Sequence, residues 1–171
     1  MLEKSDARDI ARIDALAEQL LQDAERLTSS LENAAAMPPL QLLNTAGRQR
    51  MLSQRFAKYA LFRAVSEKDT SQRHEAGLKE PCDGFEKALK YLGDIPLTSQ
   101  EIRLLLGRAE VGWAQMLAGA DAGGKAGSAE RLIRLKSLES LENIAIASED
   151  LLSVFEQLSA CYEQSMQMLV G

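Results

Sequence analysis

Residues 43–55 read Leu-Asn-Thr-Ala-Gly-Arg-Gln-Arg-Met-Leu-Ser-Gln-Arg, and they hold the densest cluster of positive charge in an otherwise acidic chain. The cations continue from Arg48 to Arg63, with no acidic residue anywhere between Glu32 and Glu67. On a helix the cations from Arg48 to Lys58 therefore lack an acidic neighbour four residues away, which is the usual local ion pair. Any of them that the fold buries needs an acid from another helix or an anion from solution.

The spacing of the small and apolar residues predicts how this helix faces the core. At about 100° of rotation per residue, one sector of roughly core-facing width contains Leu43, Ala46, Gly47, Arg50, Gln54, Ala57 and Leu61. We therefore expect Arg50 in the middle of the core-facing stripe, with Asn44, Arg48 and Arg55 together on its flank. Gly47 lies one turn before Arg50 and leaves a notch there.

Two interpretations of Arg50 and Gly47 follow from physical chemistry alone. A buried guanidinium without a partner costs several kcal/mol, so Arg50 either pairs with a carboxylate of the core or binds an anion. Glycine inside a helix costs about 1 kcal/mol relative to alanine, so Gly47 gives room either to another helix or to a ligand that approaches the backbone. The residues by themselves do not decide between these interpretations.

A resemblance to a known family bears on this choice. The run Ala46-Gly-Arg-Gln-Arg-Met-Leu-Ser-Gln-Arg55 resembles the signature of the type IV pili methyl-accepting chemotaxis transducer N-terminal (PilJ-type) domain. The sparser pattern of Asn44, Gly47, Arg50 and Arg55 is similar to the sensory box of bacterial nitrate and nitrite sensors. Nitrate sensors differ at Arg48, Gln49 and Gln54, so the closer resemblance is to the pilus-transducer branch.

The resemblance implies a sensory function. It implies a periplasmic four-helix sensor module in which boxes from two subunits meet and hold a small anion, such as nitrate or nitrite, between them. It assigns ligand binding to Arg50, with backbone contact at Gly47, support from Arg55, and Arg48 and Asn44 beside them. A homodimer is the assembly that it implies.

Composition limits the remaining function classes. The chain has 171 residues, 46% hydrophobic and 5% aromatic, with a net charge of −5, which favours one all-α domain with a real core. The acidic balance argues against nucleic-acid binding, which needs a broad basic face. No apolar run reaches the roughly 20 residues of a membrane span, and residues 1–6 are not typical of a signal peptide. We expect no cofactor and no metal.

The apolar periodicity predicts an antiparallel helical bundle of the four-helix sensor type with long terminal helices. The first helix covers about 6–36 and ends at Pro38-Pro39, where the second begins and runs to about Ser66. A turn is expected at 66–72, then a third helix kinked or restarted at Pro81 and closed at 93–96. A fourth helix is capped at Thr98 or Ser99, a flexible joint spans Gly119–Gly127, and the last helix runs from Ser128 to Val170, with a break near 137–140.

An internal repeat connects the two ends of the chain. The pattern of Leu and Glu over Glu18–Glu32 matches that over Glu149–Glu163 without a gap. It favours residues 1–36 as a helix resembling the tail of a preceding sensor unit and residues 38–171 as the sensor unit itself. In that interpretation the chain is a piece of a longer protein.

Other residues offer little chemistry. His74 is the single histidine, no nucleophile and base pattern accompanies it, and we expect it on the surface. Trp113 is expected in the core, and Cys82 and Cys161 are expected as buried thiols. The chain is therefore not expected to be an enzyme. The alternative function is a helical interaction module whose Arg48, Arg50 and Arg55 pair with acids of the bundle or of a partner, and RNA binding is the weakest candidate.

Overall fold

The computed structural model describes the backbone of residues 2–35, 38–65, 68–95, 99–123 and 130–170. It describes the side chains of residues 9, 11–31, 41–64, 74–95, 99–121 and 138–167. These residues form α-helices and no strand, which confirms the all-α prediction. The helices are α1 (Leu2–Ala35), α2 (Pro38–Val65), α3 (Lys68–Asp94), α4 (Gln100–Gly123) and α5 (Glu130–Val170).

Local chemistry accounts for several helix ends. α1 ends at Ala35 and α2 begins at Pro38, as expected because proline fits the first turn of a helix but cannot continue one. At the start of α4 the Ser99 hydroxyl accepts a hydrogen bond from the Ile102 amide at 3.2 Å, so Ser99 is the N-cap. These boundaries confirm the predicted ones.

The start of α3 differs from the prediction. The expected turn at 66–72 is wrong from Lys68 onward, where α3 has begun, and residues 66–67 lie outside the described part of the chain. The helix also continues through the buried Pro81 and does not restart there. Further along α3, Gly77 lies against the Tyr59 ring of α2.

The glycine-rich joint is also shorter than predicted. α4 continues to Gly123, and Gly119 is a buried helical residue. A Cβ atom on Gly119 would lie 2.9 Å from Ile144 Cγ1, so this glycine makes room for α5. Residues 124–127 of the expected joint are outside the described residues. α5 runs from Glu130 without the expected break at 137–140.

The chain divides into two compact units, Met1–Gln41 and Leu42–Gly171. The first unit contains α1, which exposes a series of large apolar side chains: Ile13, Leu16, Leu20, Leu27 and Leu31. Helices in proteins gain most of their stability from the packing of an apolar face. The exposed face of α1 is therefore a feature that needs an explanation.

The second unit packs α2, α3, α4 and α5 around one core. α2 and α3 are antiparallel, because Gln49 contacts Phe85 whereas Phe62, further along α2, contacts His74. The Trp113 ring is stacked on Phe85 at 4.0 Å and meets Phe56 edge-on at 4.8 Å. Trp113 is thus in the core, as predicted, and it joins α2, α3 and α4.

α4 and α5 are packed closely through two glycines of α4. Cβ atoms on Gly112 and Gly119 would lie 3.2 Å from Leu151 Cδ2 and 2.9 Å from Ile144 Cγ1. The two glycines and the two apolar side chains are each seven residues apart, and their order shows that the helices are antiparallel. Large residues of α5 fill the notches that glycine leaves in α4.

Candidate functional site

The core-facing side of α2 is rotated by roughly 100° from the predicted stripe, which is about one residue position. The buried residues of α2 are Ala46, Gln49, Leu52, Ser53, Phe56, Ala57 and Ala60. Two of them are polar. The Gln49 amide donates to the Phe85 carbonyl at 2.9 Å, and the Ser53 hydroxyl donates to the Arg50 carbonyl at 2.9 Å. These hydrogen bonds allow polar side chains to lie inside the bundle.

The rotation moves Arg50 from the centre of the stripe to its edge. Its side chain is half-buried, so the prediction of a mid-core arginine is wrong. Among the described residues, the Arg50 guanidinium has no ion pair and no hydrogen bond. The predicted core carboxylate for Arg50 is therefore not found in the described part of the chain. The physical reason is that Gln49 and Ser53, which look polar in sequence, occupy the core positions instead.

Gly47 lies beside Arg50 at the surface. It is exposed, and an added Cβ would meet no atom within 4 Å. No helix of the described bundle therefore packs into this notch, and the interpretation of Gly47 as helix-packing space is wrong for these residues. The open backbone at Gly47 and the Arg50 side chain lie one turn apart on the same side of α2.

The other predicted site residues lie on the adjacent flank of α2. Arg48 is exposed, and Asn44 and Arg55 are half-buried. Arg55 is ion-paired with Glu80 of α3, and its side chain is 19% exposed. Of the cations in the segment, Arg55 thus takes an acid from another helix, as the interaction-module hypothesis predicted. Arg55 holds α2 against α3.

One turn beyond Arg50, Gln54 connects α2 to α5. Its amide donates to the Ser148 hydroxyl at 2.7 Å and to the Ser148 carbonyl at 3.1 Å. An open groove of about 340 Å³ lies beside this contact. Its lining comes from α2 (Gln54, Ala57, Lys58, Leu61 and Phe62) and from α5 (Ala145, Ser148 and Glu149).

Sequence reasoning missed the partners of the polar residues. Nothing in the sequence identifies Glu80 or Ser148 as partners of Arg55 and Gln54, because these residues are 25 and 94 positions away. The sequence did contain a signal for the inward orientation of Gln49. Ala46, Gln49, Ser53, Phe56 and Ala60 follow steps of three and four, which is the spacing of one helix face.

Outside α2, the residue types that most often carry chemistry are the single histidine and the two cysteines. His74 is half-buried, with its ring centroid 5.4 Å from that of Phe62, so the prediction of a solvated surface histidine is wrong. Cys82 and Cys161 are free and half-buried. Burial, followed by the charge of Glu86, raises the pKa of the Cys82 thiol to about 11, which leaves it protonated and unreactive at neutral pH. The described residues contain no cluster of acids, cysteines and histidine suited to a metal ion.

Comparison with protein families gives a match that covers more than half of the chain. Residues 27–141 match the family model described as the type IV pili methyl-accepting chemotaxis transducer N-terminal domain, PilJ. The chain belongs to the PilJ family. Comparisons with curated proteins and with solved structures gave no match.

The PilJ match covers the end of α1, all of α2, α3 and α4, and the start of α5. It includes the whole basic segment and the residues around Gly47 and Arg50. A PilJ domain is a sensory and signalling domain of chemotaxis transducers. Within the described residues, none of the helices combines the length and the apolar character needed to cross a membrane.

Proposed function

We propose that this PilJ domain binds a small planar oxyanion, such as nitrate or nitrite, at the Gly47 and Arg50 surface of α2. The observation that supports the proposal is the state of Arg50. Its guanidinium is half-buried, has no acidic partner among the described residues, and lies beside open backbone at Gly47. Guanidinium offers a planar fork of donors that matches a planar oxyanion.

The neighbouring residues would have distinct roles in this site. Arg50 holds the anion, and Gly47 lets the anion approach the backbone because no side chain covers it. Arg48 adds positive charge near the site, and Asn44 offers a polar side chain on the same flank. Arg55 supports the site from a distance, since its ion pair with Glu80 fixes α2 against α3.

A second copy of the domain would complete the site. Two Arg50 side chains that face each other repel until an anion lies between them. Binding would therefore favour the arrangement in which the two α2 helices are close, and a ligand shifts an equilibrium only through such a difference in affinity. The homodimer and the anion belong together in this proposal.

The second candidate function is a helical interaction module without a small ligand. The ion pair between Arg55 and Glu80 favours it, because one arginine of the segment already serves the bundle. In this alternative the exposed Arg48 and the half-buried Arg50 pair with acidic side chains of a protein partner.

The test is thermal unfolding with nitrate, nitrite, sulfate and chloride at matched ionic strength. A ligand at 100 times its dissociation constant adds about 2.7 kcal/mol, which raises Tm by roughly 5 to 10 °C for a domain of this size. We expect such a rise with nitrate or nitrite and not with chloride. In Arg50→Ala the rise should disappear. The matched control is Arg108→Ala, which removes an exposed arginine of α4 and should retain the rise.

The stability of Arg50→Ala in the absence of ligand tests whether Arg50 has a structural role in the fold. A half-exposed cation without an internal acid contributes little to the fold, so we expect a loss below about 1 kcal/mol. Arg50→Lys keeps the charge but loses the planar fork, and should bind the anion more weakly than the wild type. Equal shifts with all four anions, or an unchanged shift in Arg50→Ala, would contradict the proposal.

A further inference from the structure

The exposed face of α1 has a regular composition. Its large side chains Ile13, Leu20 and Leu27 are seven residues apart and are 66%, 73% and 63% exposed. Ala17 and Ala24 lie between them, also seven apart and exposed. Large and small residues thus alternate at steps of three and four along one stripe, which is the spacing of a helix-pairing seam. Leu31 ends the stripe and is 58% exposed.

We propose that α1 pairs in antiparallel orientation with α1 of a second copy of this chain. The argument is steric self-complementarity. If Leu20 of one copy lies opposite Ala24 of the other, the same register places Leu27 opposite Ala17. Each of these layers then contains one large and one small side chain, which is how well-packed interfaces fill their volume.

The ends of the stripe fit the same register. Ile13 of one copy lies opposite Leu31 of the other, so the seam is closed at both ends by two large apolar side chains. All five large and small positions from Ile13 to Leu27 find a partner, and none of the seam residues is charged. The contact is isologous, as expected for a two-fold dimer.

A parallel pair of α1 helices fits less well. It would place Ala17 on Ala17 and Ala24 on Ala24 of the second copy, and such layers leave empty space that costs stability. It would also bring Asp9 of each helix next to Asp14 of the other, at positions where opposite charges normally set the orientation. Like charges at these positions disfavour the parallel arrangement, whereas the two Asp23 side chains near the two-fold axis of the antiparallel pair are each ion-paired with Arg26 of their own helix.

The described bundle contains a precedent for this packing chemistry. Between α4 and α5, the large Ile144 and Leu151 are seven residues apart and fit against Gly119 and Gly112, which are also seven apart. That pair is antiparallel as well. Close contact of large residues with a small-residue series thus already holds two long helices of this chain together.

The α1 contact uses none of the residues of the Gly47 and Arg50 surface, so it is independent of anion binding. It would add a second means of association to any dimer formed through α2. In a sensor domain such a contact would link signalling units to one another through the helix that precedes the ligand-binding bundle.

The first test measures molar mass by light scattering and sedimentation over a wide concentration range. We expect the wild-type mass to double with concentration. Leu20→Glu should weaken this association at least about 100-fold, because each dimer loses two buried leucines. The control Ala15→Glu adds the same charge at an exposed position outside the stripe and should associate like the wild type.

Misfolding is monitored through Trp113, the single tryptophan of the chain, which lies in the second unit. Its fluorescence transition should have the same midpoint in Leu20→Glu as in Ala15→Glu. A wild-type mass independent of concentration, or equal association of the two variants, would overturn the proposal.

Orientation is tested by cross-linking chains in which Cys82 and Cys161 are replaced by alanine. One chain carries Ala17→Cys and the other Leu27→Cys. Under mild oxidation the antiparallel seam predicts disulfides mainly between the two different chains. Preferential cross-linking of Ala17→Cys chains to each other would instead show a parallel pair and overturn the proposed arrangement.

Discussion

Two segments of this chain share a sequence pattern and differ in their surroundings. Residues 18–32 of α1 and 149–163 of α5 have the same spacing of Leu and Glu. Leu20 is 73% exposed, whereas Leu151 at the matching position is 1% exposed. Periodicity therefore establishes that a helix has an apolar face, but it does not identify what covers that face.

The contacts of α5 explain the difference. Leu151 meets Gly112 of α4, and Ser148 meets Gln54 of α2. The second unit thus surrounds α5 with helices whose small and polar residues fit it. Among the described residues, the equivalent stripe of α1 remains exposed in its own unit. The two stripes should respond very differently to substitution.

The largest expected difference is between Leu158→Ala and Leu27→Ala, at matching positions of the two segments. Leu158 is fully buried, so its truncation should destabilise the second unit by about 2 to 5 kcal/mol. Leu27→Ala should change that stability by less than about 0.5 kcal/mol. Urea denaturation followed by Trp113 fluorescence measures both. Similar losses would mean that the two stripes are buried in one cooperative unit.

The contact between α4 and α5 can be overpacked at Gly119. In Gly119→Ala the new methyl would lie 2.9 Å from Ile144 Cγ1 and 3.3 Å from the Ser140 carbonyl. We expect a loss of about 1 to 3 kcal/mol. Gly107→Ala is the control on the same helix, since its methyl meets no atom within 4 Å, and it should stabilise by roughly 0.5 to 1 kcal/mol. By calorimetry, Gly119→Ala should lower Tm and Gly107→Ala should raise it.

Ser148→Ala places in α5 the residue that α1 has at the matching position, Ala17. The Gln54 amide then loses its hydroxyl acceptor and keeps the Ser148 carbonyl. Because one acceptor remains, we expect a loss of only about 1 kcal/mol, measured by urea denaturation. A loss above about 3 kcal/mol would show that the hydroxyl is essential to the contact between α2 and α5.

The smallest effect is expected at Tyr162, which matches Leu31 of α1. Burial raises the pKa of Tyr162 from 10.0 to about 12. The folded state therefore keeps the phenol proton where the unfolded chain releases it, so stability present below pH 10 falls as the pH rises toward 12. Tyr162→Phe should reduce this alkaline loss in a pH series of Tm values. At pH 7 it should cost little, because the hydroxyl has no hydrogen-bond partner among the described residues.

Much of the fold could be predicted because its signals are local. Pro38 and Ser99 fix helix starts through backbone chemistry that involves only neighbouring residues. The prediction of a flexible joint was wrong at Gly119 because glycine has two opposite uses. It loosens a linker, and it also allows two helices to approach closely. Only the position of Ile144, on a different helix, decides between them.

The candidate site was harder to predict because its orientation depends on distant partners. Gln49 lies inside the bundle, where its amide nitrogen donates to the Phe85 carbonyl and its Oε1 has no hydrogen-bond partner among the described residues. From sequence alone a glutamine is assigned to the surface. That assignment shifts the predicted core face of α2 toward Arg50. The identity of the segment could be read from its residues, whereas the direction of each side chain could not.

The two sides of the basic segment of α2 have different roles. Gln49 and Ser53 point inward and hold the bundle, whereas Gly47 and Arg48 are exposed. The inward half serves the fold, and the outward half faces the surroundings. Substitution of an inward residue should therefore change the stability of the bundle, whereas substitution of an outward one should change mainly what this surface can bind.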